Sequence, residues 1–231
     1  MRHGFAKQAA RCYRYLFRAM KVYPYQPLLG LEGQNIARNQ VSIRPCMNRW
    51  DAIRQHLPKN GSAIDIGCQN GFFTMKLAQH GLATIGLERD EASFRVCQLV
   101  SLANDPLPAG FWHYDITSGS AAKLPVVDCI VCLSVFHNWV REFGFEEADR
   151  IMKVLASRTR STMVFETGQN DQVQAWWATA MDFMGADPES WIRQYLRDLG
   201  FDSVKHVGTF AGTAKHESKR HLFVARRGSK A

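Results

Sequence analysis

Apolar residues in this chain fall into short blocks, and the blocks alternate between two rhythms. Nearly uninterrupted runs at 62–66, 83–87, 111–114, 127–133 and 161–165 read as buried strands. Amphipathic stretches with helical spacing lie between them, near 71–80, 91–103 and 145–157. A helix near 188–199 closes at Gly200, a residue suited to a helix C-cap. Two last strands are expected at Ser203–Val207 and His221–Ala225, with a polar loop between them. Strand and helix in alternation predict an α/β fold, a doubly wound, seven-stranded, mainly parallel sheet.

The chain before the first strand has a different character. Phe5, Ala9, Cys12, Tyr13, Leu16, Phe17 and Met20 recur at spacings of three and four, with Lys7, Arg11, Arg14, Arg18 and Lys21 on another face. This is a basic amphipathic helix, stopped at Tyr23-Pro24. Residues 25–45 read as a connector, and Asn48–Leu57 as a helix entering the first strand. The expected division is therefore 1–45, arm and connector, and 46–231, the α/β domain.

Chemistry concentrates where the first strand ends. Ala63-Ile64-Asp65-Ile66-Gly67-Cys68-Gln69-Asn70-Gly71-Phe72-Phe73-Thr74 is a strand, a tight turn and a helix start. Its glycines let backbone approach a ligand closely, and amide groups at the helix start face the same crevice. The turn lacks the Gly-Lys-Ser/Thr of a phosphate loop and the Gly-x-Gly-x-x-Gly of a dinucleotide site. About 20 residues on, Glu88 ends the second strand, where a nucleoside-binding unit places an acid for ribose. Asp115 follows the third strand, and Ser134-Val135-Phe136-His137-Asn138 follows the fourth as a polar loop.

Asp65-x-Gly67-x-x-x-Gly71, followed in order by Glu88, Asp115 and the 126–138 segment, resembles the class I S-adenosylmethionine-dependent methyltransferases across roughly residues 60 to 226. The resemblance implies that Asp65, Gly67, Gln69 and Gly71 frame the methionine end of S-adenosylmethionine. It gives the ribose to Glu88, adenine to Asp115 and Ile116, and a place near the sulfonium to Leu133. Arg49 either reaches the methionine carboxylate or is a surface arginine. Cys132 to Asn138, the turn ending Gly71-Phe72-Phe73, and Val164-Phe165-Glu166 are similar to a narrower group. These are methyltransferases that modify bacterial surface polysaccharides, including O-antigen chain terminators. Asn138 stands where that group often has a second histidine.

Methyl transfer needs donor and acceptor in line, and an alcohol acceptor must also lose a proton. His137 is the expected base, with shaping of the loop or capping of the next helix as its structural alternative. Glu166, ending strand five, would orient His137, accept a proton or bind hydroxyls, or else be a helix N-terminus carboxylate or a surface residue. Asn138, Gln169, Trp176 and Trp177 would meet the acceptor, because aromatic faces beside amide groups suit sugar rings; the same aromatics would also pack as a lid. No metal is required for the transfer. Cys129-x-x-Cys132 has metal-like spacing, but its side chains would face opposite ways along one strand. All six cysteines read as buried thiols of a cytoplasmic protein.

The charge of +8 is uneven: residues 1–31 hold six basic residues and no acid, leaving +2 for the rest. The nearly neutral body argues against a broad nucleic-acid surface. The arm, residues 1–21, suits packing on the domain, an anionic membrane surface, nucleic acid or, though it lacks serine, a mitochondrial presequence. No run reaches the length of a membrane span. The expectation is O-methylation of a sugar or glycoconjugate hydroxyl by a cytoplasmic enzyme, peripheral if the arm meets a membrane. The alternatives are an RNA methyltransferase and a non-catalytic partner that keeps the cofactor site.

Overall fold

The computed structural model describes residues 26–29, 46–104, 107–172, 177–213 and 216–228. The basic arm and Trp176 lie outside the described residues. The elements run α1 (Cys46–Arg54), β1 (Gly61–Ile66), α2 (Phe72–His80), β2 (Leu82–Glu88), α3 (Glu91–Ala103) and β3 (Ala109–His113). They continue with α4 (Ser118–Ala121), β4 (Val127–Leu133), α5 (Phe136–Phe143), α6 (Phe145–Ser157) and β5 (Thr159–Glu166). A 3₁₀ helix (Ala178–Met184), α7 (Pro188–Asp198), β6 (Ser203–Thr213) and β7 (His216–Arg226) complete the order.

The seven strands form one sheet in the order β3-β2-β1-β4-β5-β7-β6. The first five pair in parallel, and β7 runs antiparallel between β5 and β6. The expected fold class holds. Chain order reverses between β1 and β4, and such a switch point opens a crevice at the carboxyl ends of the strands.

The two faces of β4 show why the sheet is buried on both sides. Cys129 and Val131 join one apolar cluster, with α1 and α2; Ile130 and Cys132 join the other, with α5, α6 and α7. Cys129 and Cys132 thus point apart, and burial pushes the Cys129 thiol up to about 12.

Three local expectations are corrected. The polar loop expected after strand four is the helix α5, Phe136–Phe143. Of the polar loop expected between the last strands, the described residues 208–213 and 216–220 are strand, because β6 and β7 both extend outward. The connector is not wholly outside the domain either. Leu28 and Leu29 are buried against Met75, Val96 and Val100, and Gln26 binds the glycine turn.

Candidate active site

The floor of the crevice is the turn after β1. Gly67 (φ 65°), Gln69 (φ 54°) and Gly71 (φ 79°) all take left-handed backbone. A Cβ on Gly67 would come within 2.7 Å of Val135, and one on Gly71 within 2.6 Å of Phe111. The Asn70 amide donates to the Gln26 carbonyl, and the Gln26 side-chain oxygen accepts the Phe72 N–H at the start of α2. One exposed donor of the helix start is thereby satisfied from upstream in the chain.

Glu88 faces the cleft from the end of β2, 8% exposed. Its Oε2 accepts the Gln69 N–H at 2.8 Å and its Oε1 the Asp90 N–H at 2.8 Å. Burial raises its pKa, and these backbone donors pull the other way. A carboxylate fixed on two amides presents its remaining lone pairs in a set direction, as recognition of a vicinal diol requires. Asp115, exposed, and Ile116, buried, line the cleft beyond it, with Tyr114. The cleft encloses about 240 Å³.

Asp65 is not part of the cleft wall among the described residues; it lies beneath it. Its Oδ2 accepts the Thr74 hydroxyl at 2.7 Å, which pins α2 to β1. Burial raises its pKa to about 7, with Glu88 adding repulsion. Gly71 likewise shapes the turn from outside the wall, and Leu133 packs sideways into the core on the α1–α2 side. Ser134 and Val135 take the place expected of Leu133 in the wall. Ser134 has φ 62°, unusual for a residue with a side chain. The strand-to-helix junction there was a sequence signal; the inward turn of Ser134 was not.

That inward turn is held by a buried network. Ser134 Oγ donates to Glu166 Oε1 at 2.8 Å and accepts from Arg220 at 2.7 Å. Glu166 is 1% exposed and takes Arg49 Nε on its other oxygen at 2.7 Å. Arg49 also donates to the Ala211 carbonyl and stacks over Phe210. Arg49 is therefore not a surface arginine, and Glu166 is not a surface residue: the two are buried against each other, and neither lines the cleft. Sequence reading missed Arg220, which lies in the segment expected to be loop.

His137 is also corrected. It is 3% exposed and turned from the cleft toward the segment after β5. Its Nδ1 accepts the Gly168 N–H at 3.0 Å, and its ring packs on Trp177 at 4.9 Å. A neutral imidazole that accepts at Nδ1 carries its proton on Nε2, so it has no second lone pair for a substrate proton. Gly168 permits the approach, since a Cβ there would meet Trp177 at 2.4 Å. Gln169 is corrected too: its buried amide donates to the Lys219 carbonyl and accepts the His221 N–H, tying the loop to β7. Trp177 donates to Gln172 and lies under Arg220, as a packing group. Asn138 does line the cleft, with its Nδ2 on the Ser134 carbonyl, and Trp139 lies beside it.

Comparison with known proteins agrees with this geometry. Residues 64–155 match the family described as methyltransferase domain. A curated relative, the O-antigen chain terminator bifunctional methyltransferase/kinase WbdD of Escherichia coli, is 28% identical over 173 residues. The match covers 70% of this chain but only 24% of that protein, so the chain spans about a quarter of its length. A WbdD structure with a kinase inhibitor superposes with a TM-score of 0.71 at 22% identity, covering 91% of this chain and 47% of that one. Magnesium protoporphyrin IX methyltransferase of Synechocystis PCC 6803 with bound SAM gives 0.57 at 22% identity, covering 79% and 80%. The structural likeness bears on the fold alone, while the family match marks residues 64–155 as a methyltransferase domain, to which the curated relative is similar.

Proposed function

We propose that this protein transfers the methyl group of S-adenosylmethionine to a hydroxyl of a sugar or glycoconjugate. The observation that carries the cofactor half is Glu88, held on two backbone amides beside a left-handed glycine turn. This donor and acceptor set fits a nucleoside. Glu88 would hold the ribose hydroxyls, Asp115 and Ile116 the adenine, and the Gly67–Gln69 backbone the methionine end. S-adenosylmethionine supplies the activated methyl group when bound.

The acceptor half is supported by the curated relative, which is described as an O-antigen chain terminator. Asn138 and Ser134 line the cleft beyond Glu88, and Asn138 would orient an acceptor hydroxyl there. With His137 and Glu166 committed to structural bonds, the chain's contribution is positioning in a near-attack arrangement, not proton removal by either group.

Incubation with isotopically labelled cofactor, followed by mass spectrometry of saccharides and RNA, tests the reading. A methyl mass gain on saccharide supports it. A gain on RNA replaces the acceptor class, and cofactor binding with no gain on either overturns the enzymatic reading.

A further inference from the structure

Glu189 in the first turn of α7, His206 on β6 and His221 on β7 converge away from the cleft. One ligating atom from each lies within 4.8 Å of the others. His221 Nδ1 stands 3.2 Å from His206 Nε2. Glu189 Oε2 is 3.9 Å from His221 Nδ1, and Glu189 Oε1 is 3.7 Å from His206 Nδ1. The Thr209 hydroxyl lies 3.2 Å from His206 Nε2 and 3.1 Å from His221 Nδ1.

We propose that this cluster is a zinc site, with His206 Nε2, His221 Nδ1 and Glu189 Oε2 as ligands and Thr209 Oγ1 or a water completing four. Two nitrogens bound at ~2.0–2.1 Å to a tetrahedral ion stand about 3.3 Å apart, close to the spacing of the two imidazoles. Imidazole and carboxylate are the donors zinc takes. The tautomers agree: with His206 ligating through Nε2, its proton sits on Nδ1, the atom facing Glu189 Oε1. Arg193 donates to that same Oε1 at 2.7 Å, which steadies the carboxylate and leaves Oε2 for the ion. Asp171 and Asp187 add negative charge around His221.

The backbone is arranged for it. His206 and Thr209 are three positions apart, which would set them on opposite faces of a regular strand. The register shift between His206 and Gly208 brings both to the face that His221 occupies. None of the three ligands lines the cofactor cleft. The His221 N–H supports Gln169, so an ion here would brace the segment following Glu166.

The test uses the full chain stripped with chelator. Zinc is titrated by calorimetry, and cobalt by the visible absorption of a tetrahedral site. The wild type should take up zinc with the cobalt signature, and His206→Gln, His221→Gln and Glu189→Gln should each weaken zinc binding tenfold or more. Cofactor affinity should stay unchanged in all three, which verifies folding independently of the methyl-transfer reading. No zinc uptake by the wild type, or uptake unaltered in folded variants, overturns the proposal.

Discussion

Arg49 Nε lies 2.7 Å from Glu166 Oε2, the two residues 117 positions apart in the chain and both side chains almost wholly buried. The pair fastens α1 to the end of β5 beneath Ser134. Removing one partner of such a pair strands a buried charge at a cost of ~3–5 kcal/mol, whereas replacing both with apolar groups is often near neutral. Arg49→Met should therefore lower the unfolding free energy in urea by that order, and Arg49→Met with Glu166→Leu should recover part of it, the rest being lost with the Glu166 bond to Ser134. A double variant as unstable as the sum of its singles would mean that the pair is not the unit holding this corner.

Glu88→Ala should weaken S-adenosylmethionine binding tenfold or more by calorimetry. Hydrogen bonds to a charged group are worth ~1.5–3 kcal/mol, and ~1.4 kcal/mol is one decade of affinity. The substitution also frees the Gln69 and Asp90 amides, so a thermal melt should accompany the titration. Unchanged affinity in a folded variant would remove the ribose assignment.

His137 separates two roles through two substitutions. His137→Asn keeps an acceptor near the position of Nδ1 for the Gly168 N–H, whereas His137→Ala leaves that buried donor unmet. An unsatisfied buried group costs ~1–3 kcal/mol. His137→Ala should melt lower than His137→Asn, and the Asn variant should keep most of the turnover. Equal and near-complete loss of turnover in both, without loss of stability, would restore the histidine as base.

Asp65 gives the domain a pH dependence of known sign. Its pKa is raised in the fold from 3.8 to about 7, so the folded protein holds a proton that the unfolded chain has released. Its contribution is fully present below about pH 4 and is lost as pH rises through about 7. Between those limits stability should fall by up to ~1.4 kcal/mol per pH unit from this group. Glu88 shifts in the same direction, so the informative quantity is the difference between wild type and Asp65→Asn. Identical pH profiles for the two would show that Asp65 titrates normally.

The strands of the parallel sheet were readable because each is buried on both faces and so appears as an apolar run with an acid or glycine at its end. Glu88 and the glycine turn were readable for the same reason, as breaks at fixed places. The last two strands were read only at Ser203–Val207 and His221–Ala225; their outward extensions were not, because Gly208, Thr209, Lys219 and their neighbours lack the apolar runs that marked the other strands. His137 and Asn138 were read together on one loop. On the helix α5 adjacent residues are turned ~100° apart, so one meets the cleft and the other meets Gly168. The Arg49–Glu166–Ser134–Arg220 network joins four distant segments, and no local pattern announces it.

The position of β7 between β5 and β6 sets an order on assembly. β6 is made first but has no neighbour in the sheet except β7, so it must wait for its successor before it can dock. Until then β5 is an open edge along Thr162 to Glu166, the residues that β7 pairs with in the finished sheet. Closing a sheet from the inside last is a slow, long-range step, and an open edge in the meantime invites pairing with another chain. Expression at low temperature or with a holdase chaperone should therefore raise the soluble yield of this domain more than substitutions at its surface would.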